Sequence, residues 1–168
     1  MSDVMDTSDV MEASDVMDAR PPISDVARLI AGGEIRKRLG LESSDLRLGL
    51  DLARNQLLRG ATAQALRTYV ALVLCEPSEP DFQIGLANCA LHLNENELAL
   101  QAASAAIALR PANPRGYYLS GRACLALGHY PEAKEDLTEA VERAREARDT
   151  LIVTEAEMLL TRLAALAP

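Results

Sequence analysis

The side chains able to do chemistry are few and scattered. His92 and His129 are the only histidines, and neither stands at a spacing that joins it to a Ser or Cys nucleophile or to a metal set. A lone histidine in a helical stretch is ordinarily a solvated or hydrogen-bonded residue. Cys75, Cys89 and Cys124 are odd in number and far apart, which reads as small buried hydrophobes in a reducing compartment. Gly32-Gly33 lacks the Lys-Ser/Thr sequel of a phosphate loop. Glu132, Glu135, Asp136, Glu139 and Glu142 form an acidic run, but Arg143 follows Glu139 at i,i+4, the pairing of a solvated helix face. No catalytic, cofactor or metal constellation emerges, so the expectation is a protein that works by binding and not as an enzyme.

Composition narrows what could be bound. The net charge is -8, and residues 1–20 supply most of it, with six acids against one Arg. A basic face for nucleic acid is missing. No apolar run is long enough to span a bilayer, so membrane insertion is not expected. The first residues have neither the basic start nor the apolar core of a secretory signal. Apolar residues make up 49% of the chain, enough for a core, and they are mostly Leu, Ala and Val. With Glu and Arg beside them, these types favour helix over sheet.

The elements follow from spacing. Residues 2–19 repeat a hexad, SDVMDT, SDVMEA, SDVMDA. A six-residue period turns about 240° on a helix each time, so Val and Met never share a stripe. Residues 1–23 therefore read as a disordered acidic tail closed by Arg20-Pro21-Pro22, and 24–168 as the folded domain. Ser24 and Asp25 could cap a helix through Val26, Leu29 and Ile30, continued by Ile35 and Leu39 and stopped by Gly40. Ser43, Ser44 and Asp45 make a second start.

From Leu46 onward residues align at one period. Pro77 and Pro111 stand 34 residues apart, and Ala65, Ala99 and Ala133 share the spacing. So do Ala53, Ala87 and Gly121, and Leu72, Ala106 and Ala140; Leu52 and Leu86 are followed in theirs by Ser120. Gly60, Asn94 and Gly128 hold the phase of a left-handed turn. The units are 46–79, 80–113 and 114–147. Small residues let paired helices approach closely, and each proline ends a second helix. These columns resemble the tetratricopeptide (TPR) pattern. The expected fold is all-α: a TPR-type superhelix of three repeats, an N-terminal helix, and a capping helix over 148–166. No Gly or Pro lies between Pro131 and Pro168, so the cap is expected to run on from the third unit without a sharp break.

In such a stack the first helices line the inside. Inward phases 2, 5, 6, 9, 12 and 13 give Arg47, Leu50, Asp51, Arg54, Leu57 and Leu58 in the first unit. The second gives Asp81, Ile84, Gly85, Asn88, Leu91 and His92. The third gives Arg115, Tyr118, Leu119, Arg122, Leu125 and Ala126. The peptide groove is assigned to Leu50, Arg54, Leu57, Leu58, Ile84, Asn88, Leu91, His92, Tyr118, Arg122 and Leu125. Aliphatic residues would grip apolar anchors of an extended peptide, and Arg54, Asn88 and Arg122 would serve its polar groups.

LARNQLLRG (52–60), EPDFQIGLANCALHL (79–93) and ANPRGYYLSGRACLALG (112–128) resemble the class II chaperones of bacterial type III secretion, which serve hydrophobic translocator proteins. The resemblance covers about residues 24–147. It implies a cytoplasmic bacterial chaperone that holds a translocator segment in its concave groove and keeps it export-competent. It also implies a homodimer through the N-terminal region, here 24–41. The chain departs from the family in carrying Arg54 and Leu57 where aromatics are typical, and in the hexad tail. Two alternatives stay open: a general TPR adaptor, and a chaperone of the needle subunit of the same system. A carboxylate clamp of the Hsp90-docking kind is not expected, because its places hold Leu50, Arg54, Gly85 and Leu119, with only Arg115 retained.

Overall fold

The computed structural model describes residues 34–166. The tail over 1–23 and the helix start at Ser24 lie outside the described residues. Within them the chain forms eight α-helices and no strand. A short α1 (Glu34–Arg38) leads into three antiparallel pairs: α2 (Ser43–Leu58) with α3 (Thr62–Cys75), α4 (Pro80–His92) with α5 (Asn96–Leu109), and α6 (Pro114–Leu127) with α7 (Tyr130–Ala147). The last helix is α8 (Thr150–Leu166).

Local chemistry sets the helix ends. Pro80 and Pro114 open α4 and α6, where a missing N–H costs nothing. The side chains of Glu79 and Asn113 accept from the backbone N–H groups of Asp81 (3.3 Å) and Arg115 (3.0 Å). Helices α3 and α5 end two residues before Pro77 and Pro111. Between paired helices, Gly60, Asn94 and Gly128 adopt φ of 75°, 60° and 80°. The same backbone bond closes each of these turns: Ala61 N–H to Gln56 O (2.8 Å), Glu95 N–H to Ala90 O (2.9 Å) and His129 N–H to Cys124 O (2.9 Å).

That bond recurs once more, and it corrects the expected continuous cap. Asp149 N–H donates to Ala144 O (2.8 Å), and Arg148 takes φ 59°. A left-handed turn therefore separates α7 from α8 without glycine. Asp149 then caps α8 by accepting from Ile152 N–H (3.2 Å).

The core runs along the seams between helices. Ala53, Ala65, Ala87, Ala99 and Ala133 have no exposed surface. A Cβ on Gly121 would lie 2.7 Å from Leu137 Cγ and 3.3 Å from Ala133 O. The helices approach so closely that only small residues fit. Leu52 is the exception in its column: it is half-exposed where Leu86 and Ser120 are buried. Arg36 ties α1 down through Leu41 O (3.2 Å), Ser43 Oγ (2.7 Å) and Glu76 Oε2 (3.2 Å).

Candidate functional site

The first helices of the pairs, α2, α4 and α6, stand side by side, and α8 takes the fourth place. Leu50, Ile84, Tyr118 and Ile152 occupy the same phase at successive 34-residue steps, so one apolar row crosses all four helices. A hollow of about 360 Å³ opens over Ile84, Tyr118 and Ile152 of this row. Arg54 and Leu57 of α2 line it, with Ile84, Gly85 and Asn88 of α4 and Tyr118 and Leu119 of α6. Asp81 and Arg115 stand at its edge, and Asp149, Leu151, Ile152 and Glu155 close the far end. It crosses α2 late and α6 early, so it runs obliquely over the helices.

Two tyrosines shape it. Tyr69 comes from a second helix, α3, and reaches the hollow because Gly85 has no side chain. A Cβ there would lie 2.1 Å from Tyr69 Cε1. Burial pushes the Tyr69 hydroxyl above its ordinary pKa, and neighbouring Cys89 adds to the shift. Tyr118 donates its hydroxyl hydrogen to Glu155 of α8. Burial first, then that bond to Glu155, pushes its pKa up to about 12. Tyr118 thus stays a neutral donor at physiological pH and fastens the closing helix to the groove wall. The Arg122 guanidinium sits over the Tyr118 ring, 5.5 Å from its centroid.

Of the residues assigned from sequence, Arg54, Leu57, Ile84, Asn88 and Tyr118 meet in this hollow. Leu50 lines an adjoining one of about 380 Å³, with Arg47 and Phe82. Asp81 stands on the lip of both. Arg122 is adjacent through Tyr118. Leu91 and Leu125 are half-buried against the packing clusters between helices, because the oblique hollow leaves α4 and α6 before their last turns. His92 ends α4 exposed, and Leu58 is 85% exposed, outside the lining. Tyr69 and the α8 residues were missed. Continuing the 34-residue step past the third unit reaches Asp149 from Arg115 and Ile152 from Tyr118, a signal that could have found the latter.

Among the described residues no group of three or more His, Cys, Asp or Glu is placed to hold a metal ion. No helix among them is long and apolar enough to cross a membrane. What the hollow offers is apolar surface, amide and hydroxyl groups, and charges of both signs at its edge.

Comparison with known proteins agrees with this architecture. Tetratricopeptide repeat family models match residues 46–114 and 114–146. PcrH, solved with the chaperone-binding region of PopD, superposes with a TM-score of 0.72 at 23% identity, over 77% of this chain and 98% of that one. SycD of Yersinia enterocolitica, a type III secretion chaperone solved with a peptide of the translocator YopD, gives 0.70 at 23% identity, over 76% and 98%. A type III secretion complex from Aeromonas hydrophila gives 0.74 at 19% identity, over 84% and 96%. At these identities the likeness is one of fold. Cellulose synthase operon protein C of Pseudomonas fluorescens (strain SBW25) is 35% identical over 99 residues, 58% of this chain. The chain spans only 8% of that curated relative.

Proposed function

Because the chain belongs to the tetratricopeptide-repeat family and resembles the class II type III secretion chaperones, we propose that it is a chaperone whose groove holds an extended segment of a hydrophobic translocator protein. The observation that carries this reading is the apolar row Leu50, Ile84, Tyr118 and Ile152 along two adjoining open hollows. Solved neighbours of the same fold hold translocator segments, PopD for PcrH and YopD for SycD. A row of apolar sites one repeat apart suits a chain whose own apolar side chains recur along an extended backbone. Each anchor buried there contributes about 1.5–3 kcal/mol. Nothing in this role needs turnover: the protein binds, keeps the segment from collapsing on itself, and releases it for export. In this reading it acts in the bacterial cytoplasm.

The test is isothermal titration of a translocator peptide from the same bacterium into the parent and Leu57→Glu. Leu57 is partly buried against the core, so helical circular dichroism of the variant is the control that separates loss of the groove from loss of the fold. A charge under an anchor is costly to bury, and affinity should fall at least about tenfold, or about 1.4 kcal/mol. Undiminished binding by a folded variant would remove the groove from the account. The match to a segment of a cellulose synthase operon protein favours a second reading, a general TPR adaptor. Failure of every translocator from that bacterium to co-purify would leave the adaptor as the better description.

A further inference from the structure

Three residues ahead of each member of the apolar row lies a charged residue, on the same helix face in α2, α4 and α6 and at the N-cap of α8. Arg47, Asp81, Arg115 and Asp149 stand 34 residues apart and alternate in sign. Arg47 and Asp81 line the adjoining hollow, and Asp81, Arg115 and Asp149 line the main one. At this one phase the lining runs plus, minus, plus, minus; Arg36, Glu76 and Glu79 also line the adjoining hollow, and Arg54 and Glu155 the main one. Arg47 and Arg115 have no ion-pair partner among the described residues. Asp81 shares its carboxylate with Arg110 (3.3 Å), a half-exposed surface pair, and Asp149 uses one oxygen to cap α8.

A groove built from repeats has a specific weakness. Its floor offers a similar apolar site in every unit, so an extended segment can slip by one repeat at little cost in apolar contact. We propose that the alternating row sets the register of the bound segment, which deepens the groove reading above and rests on it. Packed helices lie about 8–10 Å apart, and a segment in the polyproline II conformation advances about 3.1 Å per residue with about three residues per turn, so each unit meets about every third residue on one face of the segment. The complementary segment carries acid, base, acid, base at every third residue, with aliphatic residues between. Slipped by one repeat, or run in the opposite direction, it sets like charges opposite each other at the rungs it occupies. The row thus discriminates by repulsion as well as by attraction.

Two synthetic peptides of identical composition test this. One carries the alternating order at every third residue; the other has both acids first and both bases last. Fluorescence anisotropy at low salt should show the parent preferring the alternating peptide about tenfold, with the preference shrinking as salt screens the edge. In Arg47→Gln/Asp81→Asn/Arg115→Gln the preference should vanish. A photo-crosslinker at the centre of the alternating peptide should label one helix pair in the parent and neighbouring pairs as well in the triple variant. Equal affinity of the parent for both peptides, with binding still lost in Leu57→Glu, would overturn the register proposal and leave the groove standing. So would labelling confined to one pair in the triple variant. If neither peptide binds the parent, or if Leu57→Glu makes no difference, the groove reading fails and the register proposal with it.

Discussion

Replacing Gly85 by alanine tests the contact that admits Tyr69 to the groove. The added Cβ would lie 2.1, 2.2 and 2.6 Å from Tyr69 Cε1, Cζ and Cδ1, against an ordinary contact of 3.4–4 Å. The ring must retreat by more than about 1 Å, and Tyr69 is only 3% exposed, among residues of one core cluster. Overpacking of this kind costs about 1–3 kcal/mol. Alanine recovers about 0.5–1 kcal/mol over glycine inside a helix. The net expectation is a loss of about 0.5–2 kcal/mol, read from urea unfolding followed by circular dichroism with an unchanged m-value. In a Tyr69→Val background the clashing ring atoms are gone, so the same Gly85→Ala change should become stabilising by about 0.5–1 kcal/mol. That reversal of sign is the diagnostic. If Gly85→Ala stabilises the parent protein, the close approach is absent and Tyr69 does not owe its place to the glycine.

Three further outcomes are expected. Ala99→Leu or Ala133→Leu should lose about 1–3 kcal/mol in the same unfolding assay, because both alanines are fully buried in seams between helices. Arg148→Gly should gain about 0.5–1 kcal/mol and raise the thermal midpoint, since φ 59° strains a side-chain-bearing residue. Asp136 has its pKa raised, chiefly by burial and against the bond from Ser120. A raised folded pKa contributes stability at low pH that is lost as pH rises through it. Asp136→Asn should therefore gain on the parent through the acidic range and hold a constant difference above it, as measured by unfolding at a series of pH values.

Much of the framework was legible because repetition makes local signals reinforce each other. Gly60, Asn94 and Gly128 share a turn conformation, and the prolines lie just beyond the helix ends. The break at Arg148 was not legible: its left-handed residue is an arginine, and the signal lay in Asp149-Thr150 as a helix start. Tyr69 escaped for a different reason. Reaching the groove from a second helix depends on an empty position one helix away, a pairing that no single-helix periodicity displays. The inward phases assume a straight stack, whereas the hollow runs obliquely. Leu57 therefore lines it while Leu91 and Leu125, at the equivalent place on later helices, turn into the packing.

The alanine seams carry a mechanical consequence. Units held at contact by residues with no conformational slack behave as a rigid stack, so an error at one joint is not absorbed locally. A tilt of about 5° between α2 and α3, whose seam buries Ala53 and Ala65, carried over the roughly 20 Å of two further repeats, shifts the far wall by about 1.7 Å. That is enough to misalign a side chain with its site. The pitch of the superhelix is thus adjustable by single methyl groups remote from any ligand. Under the groove reading proposed above, substitution at these joints would retune which segments fit without altering a residue that lines the hollow.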